Sequence, residues 1–411
     1  MVIPASNRAL LRDLARRVAE VAALPIHQEK AAMWRCLNRL EKVRPLVWIN
    51  EIPWDEMGPE LTLHCTDDFC RDQERMLRRI LYQWEHMPCD MIVEGVLYCP
   101  LVIHDSGFGI EEKAVRTSDR YGSRHYIPVL RTEADIEKIQ MPKITVDLEA
   151  SERRYCQMAE IYEGIIPVVK RGACGFWFAP WDILCRWLGI EEMFTDMVER
   201  PHFLHGCMER LTAAHLARLE QYEAQNLLAL NNGYHRVGSG GLGFTDELPQ
   251  PDFDGAHVRP MDLWGTATAQ IFSEVSPAMH EEFALQYERR WLERFGLNCY
   301  GCCEPLHHKI GILASIPRLR RISVSPRADV AAAAEAIGDR YVFSLKPNPA
   351  VLATDTWRPE VARRELRASL EKARGCRIEV ILKDITTVRN EPQRLWEWAE
   401  MAMEVVDRLG N

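Results

Sequence analysis

Two adjacent cysteines, a glutamate and two histidines fall together in the stretch Leu297-Asn298-Cys299-Tyr300-Gly301-Cys302-Cys303-Glu304-Pro305-Leu306-His307-His308. Thiolate sulfur, imidazole nitrogen and carboxylate oxygen form the donor set of a zinc-type site. Cys302, Glu304 and His307 can converge on one ion if the chain turns at Pro305, with His235 or Glu247 as a remote ligand. A metal held there acts as a Lewis acid or activates a thiolate. Cys302 and Cys303 point to opposite sides of an extended chain, so using both sulfurs requires a bend. The alternative reading makes both cysteines small buried residues in a crowded site mouth.

The surrounding chain must position these groups. From about residue 90 onward, short apolar or β-branched runs alternate with longer helical patterns, the rhythm of βα units around a parallel sheet. The runs are residues 91–98, 165–170, 227–231, 262–268, 297–300, 320–324, 340–346 and 378–383. This pattern predicts an α/β fold, a (β/α)8 TIM barrel, with a doubly wound open sheet as the alternative. Residues 1–90 predict a helical N-terminal extension: Leu10, Leu11, Leu14, Val18 and Val21 recur at helical spacing, and Asp67 or Asp68 can cap a later helix. The barrel is then residues 91–411, with an insertion at about 105–150 and a small hairpin near 126–130.

In a barrel the site is built at the C-terminal strand ends, and polar residues concentrate there. Lys170 and Arg171 follow the second run, and Asn231, Asn232 and His235 the third. Glu274 follows the fourth, and Cys302, Cys303, Glu304 and His307 the fifth. Ser325 and Arg327 follow the sixth, Lys346 and Asn348 the seventh, Lys383 and Asp384 the eighth. The loop Gly238-Ser239-Gly240-Gly241 fits neither a dinucleotide fingerprint nor a P-loop, and is expected to be a mobile lid or a substrate-shaping loop. Phe176-Trp177-Phe178 with Trp181 reads as core packing.

The chain has 411 residues and a formal charge of -9, without a Lys/Arg-rich tract, which argues against a nucleic-acid or anionic-membrane partner. The start of the sequence has no basic segment followed by an apolar run, and no apolar stretch reaches membrane-spanning length. Thirteen scattered cysteines then suit a reduced, cytoplasmic setting.

Arg186-Trp187-Leu188-Gly189-Ile190-Glu191-Glu192-Met193-Phe194-Thr195-Asp196-Met197, Tyr300-Gly301-Cys302-Cys303 and Lys346-Pro347-Asn348-Pro349 resemble the uroporphyrinogen decarboxylase-like superfamily, from about Tyr126 to the C-terminus. The resemblance implies a TIM barrel. True decarboxylases of that superfamily carry an N-terminal Arg-Gln-Ala-Gly-Arg motif, absent before the first run here. The resemblance therefore points to the cobamide-dependent methyltransferase branch, in which a His-x-Cys pair and a later Cys hold zinc. Cys302 matches the first Cys, but Tyr300 stands where the His should be and Thr386 where the later Cys should be.

Under this reading the enzyme removes a methyl group from a small methylated donor, such as an aryl methyl ether, by O-demethylation. It passes the methyl to a corrinoid on a separate protein, since no Asp-x-His-x-x-Gly motif occurs here. Cys302, Glu304 and His307 would hold the metal, while Asn231, His235, Lys346 and Lys383 would position the donor or protonate its leaving oxygen. Asn232 and Asn348 belong to the same expected binding rim. The second reading is a metal-independent carboxy-lyase: Lys170, Arg171 and Arg327 bind a carboxylate, and His235 or Asp384 supplies the proton. The third is a non-catalytic barrel that binds a corrinoid protein or a tetrapyrrole. The superfamily also implies a homodimer.

Overall fold

Six short strands are buried along almost their whole length: β1 (Leu46–Ile49), β4 (Trp264–Ala267), β5 (Leu297–Tyr300), β6 (Leu319–Val324), β7 (Val342–Leu345) and β8 (Arg377–Leu382). Strands apolar on both faces belong in a parallel sheet covered by helices. In the computed structural model, which describes residues 3–116 and 124–410, they form one parallel sheet in the order β1-β8-β7-β6-β5-β4. Helices Pro277–His280 through Gln286–Leu292, Val330–Ile337, Pro359–Lys372 and Gln393–Gly410 alternate with these strands or follow the last. Among the described residues no helix is long and apolar enough to cross a membrane.

The regular ladder does not close into the expected eight-stranded barrel. β2 (Leu97–Pro100) and β3 (Val168–Arg171) form a separate parallel pair. Only isolated parallel bridges, Ala173 with Leu228 and Phe178 with Ala267, lead from the β3 segment towards β4. The run at 227–231 makes a single bridge, with Ala173 N donating to Leu227 O and Ala229 N to Ala173 O, both at 2.8 Å, and at its end a side chain takes over from the backbone. Asn231 Nδ2 donates to Cys174 O at 2.7 Å and Trp264 O at 3.1 Å, while its Oδ1 accepts from Trp264 N at 2.9 Å. Asn231 is therefore a structural rung, which corrects its assignment to substrate binding.

The first ninety residues are not only helical. Helices Ala5–Ala22, Ile26–Asn38 and Asp68–His86 appear as expected, the last capped by Asp67, which accepts from Cys70 N at 3.1 Å. Between them β1 enters the central sheet beside β8. Of the run at 91–98, only its end belongs to a strand. In the insertion, Val102–Asp105 pairs with Ile144–Asp147, and the small hairpin joins Ala114–Arg116 to Arg124–Tyr126, a few residues earlier than expected.

The Gly-rich loop is a buried plug rather than a lid. Arg321 on β6 and Glu379 on β8, both fully buried, pair at 3.3 Å across the intervening β7. Gly241 N donates to Glu379 Oε1 at 3.0 Å, and Arg321 NH1 donates to Gly241 O at 3.1 Å. A Cβ on Gly241 would lie 2.5 Å from the Trp34 ring and 2.7 Å from Glu379 Oε2. Only glycine lets the loop pass between an indole and a buried ion pair. Gly241→Ala is expected to destabilise the chain by about 1–3 kcal/mol through overpacking. Its urea midpoint should fall; an unchanged midpoint would mean that the plug has room to spare.

Candidate active site

The chain turns sharply after β5. Gly301 adopts φ 92°, a left-handed conformation that a Cβ would strain, and that Cβ would meet Leu306 Cδ1 at 2.4 Å. Ser239 Oγ donates to Gly301 O at 2.9 Å, and Ser323 Oγ to Cys302 O at 2.9 Å. Glu304 Oε2 accepts from Cys302 N at 2.9 Å, and its Oε1 from Thr268 Oγ1 at 2.7 Å. So pinned, the bend brings the Cys302 and Cys303 sulfurs to 3.5 Å from each other.

β8 ends against them. Lys383 Nζ lies 3.6 Å from Cys302 Sγ, 4.0 Å from Cys303 Sγ and 2.7 Å from Asp384 Oδ2. Asp384 Oδ2 is 3.6 Å from Cys303 Sγ. Asp384 adopts φ 56°, and its N–H donates to Glu51 Oε2 at 3.0 Å. Glu51, just past β1, also pairs with Arg236 at 2.7 Å. Residues at the C-terminal ends of β1, β5 and β8 therefore meet, as expected for a parallel α/β enzyme.

The electrostatics divide the two thiols. The Cys303 S–H donates to Cys302 and, with the Lys383 ammonium, holds the Cys302 thiol below its ordinary value despite burial. The same contact, reinforced by burial, pushes Cys303 well up. Burial would lower Lys383, but the Cys302 charge and Asp384 raise it. The rim thus holds a thiol shifted towards its thiolate at Cys302, a thiol shifted away from it at Cys303 and an ammonium beside both, the setting of an activated nucleophile. Lys346 lies deeper, bonded to Ser344 O at 2.9 Å, and burial lowers it to about 8. Lys383→Met should slow iodoacetamide alkylation of Cys302 at neutral pH severalfold, because the ammonium that favours the thiolate is gone. Peptide-resolved mass spectrometry checks this; an unchanged rate would show that Lys383 does not hold the thiolate.

A cleft of about 500 Å3 opens on Cys303, lined by Tyr126, Asp182, Arg186, Gln270, Ile271 and Arg327 among others. Arg327 has no ion-pair partner among the described residues, whereas Arg186 pairs with Glu112 at 2.8 Å. Burial raises the Asp182 carboxyl. Of these cleft residues, only Arg327 and Cys303 stand out in the sequence as site candidates. The others come from helix Pro180–Leu188, the turn Gln270–Phe272 and the strand Arg124–Tyr126, and with Glu51 and Arg236 are assembled by the fold.

Several expected roles are corrected. Glu304 is fully buried, and both its oxygens are engaged within the turn by Thr268 and Cys302 N. His307 packs its ring edge-on against His308 at 4.8 Å. Among the described residues the one group of three whose ligand atoms all lie within 4.8 Å of one another is Glu60, Glu85 and His86, far along the chain from this turn. Cys302, Glu304 and His307 thus do not fit a zinc ion as a set. Tyr300, where the resemblance expects a zinc-binding His, is fully buried and donates to Glu288 Oε2 at 2.6 Å, with His280 Nε2 at 2.6 Å from its hydroxyl. Its hydroxyl faces a helix rather than the thiols. Thr386, at the other departure, is exposed.

Lys170 points outward, paired with Glu152 and 4.7 Å from the Tyr155 ring centroid. Arg171 stacks on Tyr98 at 4.1 Å. Asn232 donates to Leu248 O at 2.6 Å, and Asn348 caps Pro349–Ala353 through Ala350 N at 3.0 Å. His235 lines a separate cavity of about 170 Å3 with Phe176 and Trp177. Burial there lowers its imidazole to about 4, so it is neutral. Phe178 and Trp181 are core residues, as expected, whereas Trp177 is exposed, which corrects its reading as core packing.

Fold and site together define an α/β protein with a cysteine–lysine pair at the C-terminal rim of a parallel sheet. No protein-family model matches the chain, and neither does a curated protein. Among solved structures it is similar to a methyltransferase from Methanosarcina mazei, with 12% identity and a TM-score of 0.51 over 92% of this chain and 98% of that one. At that identity the likeness establishes the fold alone.

Proposed function

We propose that this chain is a methyltransferase that demethylates a small methylated compound, an aryl methyl ether, and delivers the methyl group to a corrinoid on a separate protein. The observation that carries this reading is the Cys302 sulfur 3.6 Å from the Lys383 ammonium, at the edge of a cleft open on Cys303. The fold likeness to a methyltransferase supports it. On this reading the six-stranded sheet, the β2–β3 pair and the isolated bridges are an irregular form of the (β/α)8 barrel, the setting is cytoplasmic, and residues 91–411 are the catalytic unit.

A thiolate is a soft nucleophile suited to displacement at a methyl carbon. The S–C bond forms as the C–O bond breaks, and Lys383 gives its proton to the departing oxygen. Tyr126 and Ile271 provide apolar surface for an aromatic donor, and Arg327 provides a fixed positive charge. When bound, the partner's corrinoid supplies a stronger nucleophile to which the methyl passes. Cys303 and Lys383, once Lys383 has regained a proton from solvent, would stabilise the Cys302 thiolate released when the methyl leaves. No step is assigned to zinc, because its expected ligands do not converge.

Arg327, without an ion-pair partner among the described residues, also favours a second reading, a carboxy-lyase acting on a carboxylate held in the same cleft. One experiment separates the two. The reduced chain is incubated with free cob(I)alamin and a panel of deuteromethyl aryl ethers, methylamines and methanol. Chain-dependent formation of deuteromethylcobalamin is expected. No transfer from any donor, together with release of carbon dioxide from carboxylated aromatics, would replace the methyl-transfer reading with the lyase one.

A further inference from the structure

The thirteen cysteines are all free, and among the described residues Cys302 and Cys303 make the one sulfur–sulfur contact, at 3.5 Å. The contact is built by the fold. Gly301 at φ 92°, the Ser239 and Ser323 hydroxyls and the Glu304 carboxylate hold a bend that places both sulfurs on one side of the chain. Cys302 is 6% exposed, while Cys303 is half-buried and lines the cleft, so small solutes reach the pair through Cys303. Lys383 contacts both sulfurs, at 3.6 and 4.0 Å, and favours negative charge on either.

We propose that Cys302 and Cys303 are a modification site, a dithiol that peroxide oxidises to a vicinal disulfide and that thiol reductants reopen. The inference stands on the geometry of the bend, whether or not the chain transfers methyl groups. In the first step the Cys302 thiolate attacks one oxygen of hydrogen peroxide; an S–O bond forms, the O–O bond breaks and hydroxide leaves. In the second, the Cys303 sulfur attacks the resulting sulfenic sulfur; the S–S bond forms, and the sulfenic hydroxyl leaves as water with the Cys303 proton. Two electrons pass from the two sulfurs to one peroxide.

Closing the bond requires the sulfurs to approach from 3.5 Å to about 2.0 Å. Adjacent residues hold their Cα atoms about 3.8 Å apart, closer than in ordinary disulfides. The ring is therefore strained and readily reduced. Reversibility follows from the same adjacency that makes the pair. While oxidised, the rim has no thiolate nucleophile.

The test uses the full, reduced chain treated with about one equivalent of hydrogen peroxide, then blocked with iodoacetamide and digested without reductant. The peptide carrying residues 302 and 303 should be two hydrogens lighter and unblocked, and should accept two blocking groups after treatment with dithiothreitol. Recovery of that peptide with both cysteines blocked would overturn the proposal, as would sulfinic acid at Cys302 beside a blocked Cys303. In Cys303→Ser, a dimedone-trapped sulfenic acid should persist at Cys302, because the resolving thiol is gone. Absence of the adduct in a folded variant would remove Cys302 as the attacking sulfur. If that variant does not fold, the wild-type peptide still decides.

Discussion

Cys302→Ser is expected to lower methyl transfer by a factor on the order of 10^3 or more while leaving the chain folded. A serine hydroxyl cannot ionise near neutral pH beside a single ammonium, and oxygen is a harder, weaker nucleophile towards a methyl carbon. The bend should survive, because its bonds at this residue run through backbone atoms: Glu304 accepts from Cys302 N, and Ser323 donates to Cys302 O. A stability loss within about 1 kcal/mol is therefore expected. Cys303→Ser should cost less, about tenfold, since a hydroxyl can still donate to the Cys302 sulfur. Steady-state transfer and urea unfolding of both variants check this. Full activity in Cys302→Ser would move the chemistry elsewhere on the rim.

The largest expected effect on stability lies below the rim. Arg321 and Glu379 are fully buried, and Arg321 is further bound by Asn38 Oδ1 at 2.8 Å and Leu242 O at 3.2 Å. Arg321→Met takes the paired guanidinium from the Glu379 carboxylate, leaving it only the Lys346 ammonium beyond Ser344, and removes the donors holding the Gly-rich plug. Breaking a buried pair in this way costs about 3–5 kcal/mol. Adding Glu379→Leu should recover part of that loss, because two apolar side chains avoid the unpaired charge. Urea midpoints of the single and double variants check it. A double variant less stable than Arg321→Met would mean that Glu379 stabilises the chain through Gly241 N and Ser344 rather than through Arg321.

The later strands were readable because β5 to β8 are short apolar runs bounded by turns and separated by helical spacing. β1 was not: four residues between Pro45 and Pro53 carry too little pattern, and the partner strand lies more than 300 residues away. Asn231 misled in the opposite direction, since its polarity suggested a ligand-binding group where the fold uses it as a ladder rung. Cys302, Lys383 and Asp384 were readable as polar residues directly after apolar runs. Glu304 and His307 looked equally eligible, but no sequence rule tells that Thr268 occupies one Glu304 oxygen. Opposite charges inside two apolar runs, at Arg321 and Glu379, were a usable signal of an interior pair. Glu51 became visible only once β1 was placed.

The central claim is that Cys303 and Lys383 hold the Cys302 thiol below the ordinary thiol range. Residue-resolved alkylation of the reduced wild-type chain across the pH range tests it most directly. Cys302 should titrate below the ordinary thiol range of about 8.5, with Cys303 well above it. Both cysteines titrating together at the ordinary value would contradict the account.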